Sequence, residues 1–462
     1  MQCLYANGLD ATTGGYLSPP MTATEWLQLT SPEAPVVARA PLPDIDADDL
    51  AQAGWGWIAP PGGLGKDLRG ALAPLLERRR AQAGERFREL EYRPGDSWLR
   101  FLGRQGAGPG QVNPGRLPYY LLIVASPQQI PFELQYQLDV QYAVGRLWFD
   151  SAATADPAAA CAAYVRGLLD CEDGAVRRPR NADAFVVRNW DDPATAISLR
   201  HLGRPVARAL QQRPEGWRLR TWSREETTKA RLVELLADSS LLFTAGHAVR
   251  FRPQDELHAS DQGALLCYDW PGPEDWQRRI PPDWYFAARD VPDSADLRGL
   301  ITLHFACYSA GSPRWDAFHH LEPREPLRIA AEPFVAALPQ RLLGHPNGGA
   351  LGVIGHVDRA WEHGFQWQGA PQAETFETAL RELMKGRRLG HALESFGQRY
   401  ADLARATAAP ETPEGELGEP SPEEQAYLAM ARNDARSYVL LGDPAARLCA
   451  SEAITETAPA GP

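Results

Sequence analysis

A thiol and an imidazole are the two side chains in this 462-residue chain whose surroundings point to covalent chemistry. His247 closes the apolar run SSLLFTAGHAV. Cys307 closes the next long apolar run, LRGLITLHFACYSAGSP, with a small-residue turn straight after it. If both runs are parallel strands, both side chains emerge at the carboxyl edge, where open α/β sheets build their sites. Sixty residues separate them, enough for a crossover between neighbouring strands. An attacking thiolate needs an imidazole beside it, either to lower its pKa or to take its proton, and the same imidazole can later protonate the leaving amine. Backbone N–H groups at Cys307 and at Ala248, after the His, would receive the developing oxyanion. Taken singly, Cys307 reads as a small buried residue and His247 as a turn histidine. Together, at the ends of two successive runs flanked by Gly246 and Ala310-Gly311, they favour catalysis.

A sheet is needed to hold them. Apolar runs of strand length recur at 119–125, 140–147, 184–190, 240–245, 300–307, 350–357 and 438–441, continuous rather than alternating, as parallel strands covered on both faces require. Helical patterns at 157–169, 205–212 and 228–237 lie between several of them, which predicts an α/β sandwich. The first stretch differs, being rich in Pro, Gly and Trp with one charged helix expected over 66–92. The spacing predicts an N-terminal extension over 1–110, a folded domain over 111–450 and a disordered tail over 451–462. Residues 250–297 make a long excursion between two core strands, and 409–424 form an acidic, Pro-rich segment expected to be disordered.

Composition removes several function classes. The net charge is -12 and Lys66, Lys229 and Lys385 are the only lysines, so phosphate neutralisation on nucleic acid is not expected. No apolar run reaches the roughly 18 residues a spanning helix needs, and the N-terminus lacks a secretory pattern, so a cytoplasmic protein without membrane contact is expected. The six cysteines show neither paired spacing nor a zinc pattern, and the histidines lack convergent ligands, so no metal and no cofactor is expected. His304 sits three residues before Cys307 and points to the opposite face of the strand as a core histidine. PPGGLGKD at 60–67 fails as a phosphate loop because the first glycine is misplaced and Asp stands where Ser or Thr is needed.

Five motifs in order carry a family likeness. PYYLLIVASPQQIPFELQYQLDVQYAVGRL at 118–147, FTAGHA, FACYSAG, GGALGVIGHVDRAW at 348–361 and YVLLGDPAARL resemble the gingipain-type branch of caspase-like (clan CD) cysteine peptidases, which includes bacterial CHAT domains. The likeness runs from about 117 to 448. It implies a caspase-like three-layer α/β/α sandwich with a mostly parallel central sheet. It further implies a cysteine endopeptidase with Cys307 as nucleophile and His247 as base, and Trp361 as a wall of the specificity pocket. By analogy with CHAT proteins it implies a regulated bacterial signalling or defence protease acting on protein or peptide substrates, switched by an activating protein or protease.

The departures from the family pattern are specific. Ala248 replaces the usual glycine after the His, so the oxyanion turn must accept a β-carbon. Arginine-specific relatives take a pocket Asp from a segment that aligns with ATAISLRH at 194–201, which holds no acid; Arg200 there would instead favour an acidic residue before the scissile bond. Asp191 aligns near the acid that steadies the His in some relatives, or is an ordinary turn Asp. Asp316 either lines the pocket or caps a following helix, and Phe305 and Ala245 complete the expected pocket. The rival reading is a catalytically silent scaffold that binds a peptide.

Overall fold

Ten strands build one twisted sheet. In the computed structural model, which describes residues 8–16, 44–151, 153–212, 216–318, 327–407 and 421–449, they are β1 (Trp55–Ala59), β2 (Phe87–Glu91), β3 (Tyr120–Ile123), β4 (Ala143–Arg146), β5 (Asn181–Val186), β6 (Arg218–Ser223), β7 (Leu241–Ala245), β8 (Ile301–Phe305), β9 (Gly352–His356) and β10 (Tyr438–Gly442). Their spatial order is β2-β1-β3-β4-β10-β9-β8-β7-β5-β6. Neighbours are parallel everywhere except between β9 and β10. The sheet is therefore two parallel halves running in opposite directions, and the carboxyl edges of β9, β8, β7 and β5 lie together. The central strands are buried on both faces, which explains their continuous apolar runs.

The expected boundary near residue 110 does not divide the structure. Residues 55–91 supply β1 and β2 and the helix α1 (Lys66–Ala83), and β1 pairs directly with β3. Asp443, in the closing LGDP motif, ties these parts together. Its carboxylate accepts from Trp55 Nε1 at 2.9 Å and from Arg79 Nε at 2.8 Å, while Arg79 Nη2 reaches Glu172 at 2.6 Å. A fully buried guanidinium needs such paired acceptors to stay charged away from water. The helix expected over 66–92 stops at Ala83, and FRELE becomes an edge strand. Other motif residues also have mechanical roles. A β-carbon on Gly145 would collide with the Gly442 carbonyl across the β4–β10 pair. Arg146 donates to the carbonyls of Ala125 and Pro131 and to Gln135 Oε1.

The excursion at 250–297 is an ordered second sheet. Ala248–Arg250 pairs antiparallel with Leu265–Leu266, which pairs with Tyr285–Phe286, and Gly8–Asp10 joins on the other side, parallel, with Leu9 opposite Val249. Leu9, Val249, Phe251, Trp270, Ile280 and Tyr285 form its own apolar core. Residues 409–420 of the acidic segment and the whole tail at 451–462 lie outside the described residues; Ser421 caps the helix Pro422–Ala435. Among the described residues no helix is long and apolar enough to cross a membrane.

Candidate active site

Four neighbouring strands hand their trailing residues to one edge. Phe305 of β8 lies opposite Ala245 of β7, so Cys307 and His247, each two residues further on, leave adjacent parallel strands at the same level. Adjacent strands lie about 5 Å apart. Past β5 comes Asp192, and past β9 come Ala360, Trp361 and Glu362.

His247 is held on three sides. Its Nε2 lies 2.9 Å from Asp192 Oδ2, and the edges of Tyr16 and Trp270 meet its ring at centroid distances of 5.8 Å each. Nδ1 has no hydrogen-bond partner among the described residues. An ionised carboxylate accepting at Nε2 places the ring proton there and leaves the lone pair on Nδ1, which makes Nδ1 the atom able to take a proton.

The orienting acid is Asp192, not Asp191. Local sequence explains the choice: Asp192 is the N-cap of the short helix Pro193–Ser198, with Pro193 at its first position, and its carboxylate accepts from the Ala194 and Thr195 amides and from Thr195 Oγ1 at 2.5 Å. The hydroxyl of Tyr16 donates to its other oxygen. Burial alone would raise this acid, but the charge of His247 and the bonds from His247, Thr195 and Tyr16 outweigh burial and hold it well below the usual carboxylate range. Asp191 instead faces Gly272, where a β-carbon would strike its Oδ1; Gly272 has φ +113°.

Cys307 is wholly buried, 0 % exposed, and His247 is 1 % exposed. The Ala360 N–H lies 3.2 Å from Sγ. Burial pushes the thiol well up, and the Ala360 amide offsets only part of this, so in this closed arrangement Cys307 keeps its proton. The next residue, Tyr308, has φ +57°, a left-handed turn that a bulky side chain rarely adopts and that marks strain at the nucleophile. The turn is fastened by Tyr308 N–H to the Asp358 carbonyl, 2.9 Å, and Ala310 N–H to the His356 carbonyl, 3.0 Å.

The remaining expected residues divide. Ala248 lies in an extended strand opposite Gly8 and Leu265, so its β-carbon needs no left-handed turn. Trp361 is buried against Phe318 at 5.6 Å, with Arg359 over both rings. Asp316 caps no helix among the described residues: it forms an ion pair with Arg359 and accepts from Phe318 N–H at 2.8 Å. Phe305 packs on Phe365 and Phe376, and Ala245 is buried at the end of β7, so both belong to the core. Arg200 lies exposed on a π-helical turn, Leu199–Gly203. His304 bonds Thr244 through Nδ1 at 2.7 Å, inside the sheet. Among the described residues no group of His, Cys, Asp and Glu is arranged to hold a metal ion. Sequence reasoning missed Tyr16, Trp270 and Ala360. The Asp-Pro pair before a short helix was a usable signal for Asp192.

The ten-stranded, mostly parallel sheet with its covering helices has a caspase-like fold. Among solved structures, the Arg-specific cysteine proteinase gingipain R (RgpB) is similar with a TM-score of 0.50 at 12% identity, over 86% of this chain and 78% of that one. A complex of the Porphyromonas gingivalis RgpB pro- and mature domains gives 0.44 at 11%, over 86% and 80%. The Saccharomyces cerevisiae separase–securin complex gives 0.32 at 11%, over 71% of this chain and 16% of that one. No protein-family model matches the chain, and no curated protein sequence matches it.

Proposed function

We propose that this chain is a cysteine endopeptidase in which Cys307 attacks the scissile carbonyl and His247 carries the proton. The orientation of His247 carries this reading: Nε2 is tied to a buried carboxylate and Nδ1 is left unbonded, on the strand beside that of Cys307. Nδ1 takes the thiol proton as Sγ bonds to the carbonyl carbon, and the oxygen gains negative charge, received by the backbone N–H groups of Cys307 and Ala248. Collapse breaks the C–N bond, and the leaving amine takes the proton from His247. Water then gives a proton to Nδ1 and attacks the thioester, releasing the carboxylic acid and restoring the thiol. No cofactor enters this sequence.

The closed, proton-holding state of Cys307 supports a protease that must be opened before it works, by a protein partner or by cleavage. We place it in the cytoplasm, in a bacterial signalling or defence system with few protein substrates, on the strength of the CHAT-like motifs. The same closed state favours one second reading, a silent scaffold that binds peptide in the cleft. Digestion of a diverse peptide library, read by mass spectrometry before and after limited nicking, tests between them. Discrete new termini are expected after nicking; intact peptides in both arms would support the scaffold.

Tyr16 gives a further prediction. Its hydroxyl is one donor among several to Asp192, so Tyr16→Phe is expected to lower kcat about tenfold, the worth of one hydrogen bond to a charged group, with KM little changed in steady-state assays.

A further inference from the structure

In the closed site no hydrogen bond joins the thiol to its base. Ala360 N–H donates to Cys307 Sγ at 3.2 Å, and the thiol hydrogen points to the Ala360 carbonyl, 3.8 Å away, while Nδ1 of His247 has no partner among the described residues. The turn 358–361 therefore occupies the nucleophile. It is tied at both ends. Near its start, the Asp358 carbonyl accepts from Tyr308 N–H at 2.9 Å, and Asp358 Oδ2 accepts from Ala317 N–H at 3.0 Å. At its end, Asp434 Oδ1 accepts from Trp361 N–H at 2.7 Å, one residue past the amide on the sulfur. His356 joins the two ties, with Nδ1 2.7 Å from the Asp358 carbonyl and Nε2 3.0 Å from that of Asp434.

Asp434 comes from another element, the last turn of the helix Pro422–Ala435, which packs against the turn Glu362–Gly364. It is 0 % exposed, and its Oδ2 has no hydrogen bond among the described residues. A buried carboxylate so thinly bonded costs stability, and a side chain of the same size without charge would pack there at lower cost. What the acid supplies is the acceptor for Trp361 N–H. We propose that Asp434 is a positioning residue that keeps Cys307 closed: by holding Trp361 N–H it pins the 358–361 turn on the thiol, and release of that contact frees the sulfur for His247. The assignment rests on the protease reading, since the freed thiol is taken as the working nucleophile.

The test compares wild type, Asp434→Leu and Asp434→Asn, each as the full chain, for iodoacetamide labelling at neutral pH, read cysteine by cysteine by mass spectrometry. A closed thiol reacts in proportion to the fraction of time it is open, and leucine leaves Trp361 N–H buried without an acceptor. Cys307 is expected to label roughly 30-fold faster in Asp434→Leu, the weight of one hydrogen bond to a charged group. Asparagine keeps the acceptor and should label within about threefold of wild type. Cys161 and Cys267, both 0 % exposed, should stay unlabelled in all three proteins, which separates local release from unfolding. Labelling of Cys307 in Asp434→Leu at the wild-type rate, equal acceleration by both substitutions, or reaction of Cys161 and Cys267 in step with Cys307 overturns the assignment. Failure of the protease reading looks different: Asp434→Leu would expose Cys307 selectively and still leave a diverse peptide library uncut.

Discussion

Cys307→Ala is expected to abolish peptide cleavage, by about 10⁴-fold or more in kcat, the scale on which a covalent nucleophile is lost. The fold should survive, because the change removes one buried sulfur atom and its contact with the Ala360 amide, at a cost of about 1 kcal/mol from the small cavity. Melting temperature and catalytic rate should therefore part company, and parallel thermal denaturation and library digestion check this. The thiol itself gives a second readout. In the closed state burial keeps Cys307 protonated, so alkylation by iodoacetamide should be slow at neutral pH and accelerate into the alkaline range. Once the cleft opens, water and Nδ1 of His247 reach the sulfur, and the rise should move to lower pH. Mass spectrometry of the labelled peptide reports which cysteine has reacted. A fast-reacting Cys307 in protein that cleaves nothing would sink the acyl-enzyme mechanism.

Asp192→Asn is expected to lower kcat by roughly 10³- to 10⁴-fold, the effect of losing the carboxylate behind a catalytic histidine. Asparagine keeps the shape and can still accept from Thr195, but its amide offers a donor to Nε2. That pulls the ring proton to Nδ1, the atom needed as base. Asp191→Asn, one residue away, should leave kcat within about twofold, because Asp191 faces Gly272 and not the imidazole. The pair of variants separates a role in catalysis from a general loss of charge at this turn. There is also a stability signature with a definite sign. Asp192 is held below its unfolded pKa, so its contribution is present above that unfolded value and lost as pH falls through the folded one. Melting temperatures of wild type and Asp192→Asn should converge towards strong acid and separate towards neutral pH. Parallel curves from pH 2 to 7 would contradict the buried Asp192–His247 pair.

Much of this was legible in the chain itself. Runs such as LRGLITLHFAC are continuous because β8 is covered on both faces, and that burial writes the same signature whatever the neighbours are. The ends of two such runs fix the level of His247 and Cys307 without knowledge of the loops. Strands with one polar face were harder to read. FRELE and RLRTWS are the two outermost strands, β2 and β6, half open to solvent; the charges of FRELE continue the helical pattern before it, and those of RLRTWS break the continuous apolar signature. With β2 hidden, the first 110 residues looked like an extension, although Asp443 binds Trp55 and Arg79 across more than 300 residues.

An α/β sheet of apolar strands with a thiol and an imidazole at one edge is readable from the chain alone, because strand burial and strand ends are local in it. Which carboxylate turns the imidazole, the reach of Tyr16 to Asp192 from 176 residues away and the closed state of the thiol emerge only once the chain is folded. Hydrogen bonds and desolvation depend on which surfaces meet, and no spacing along a chain records that.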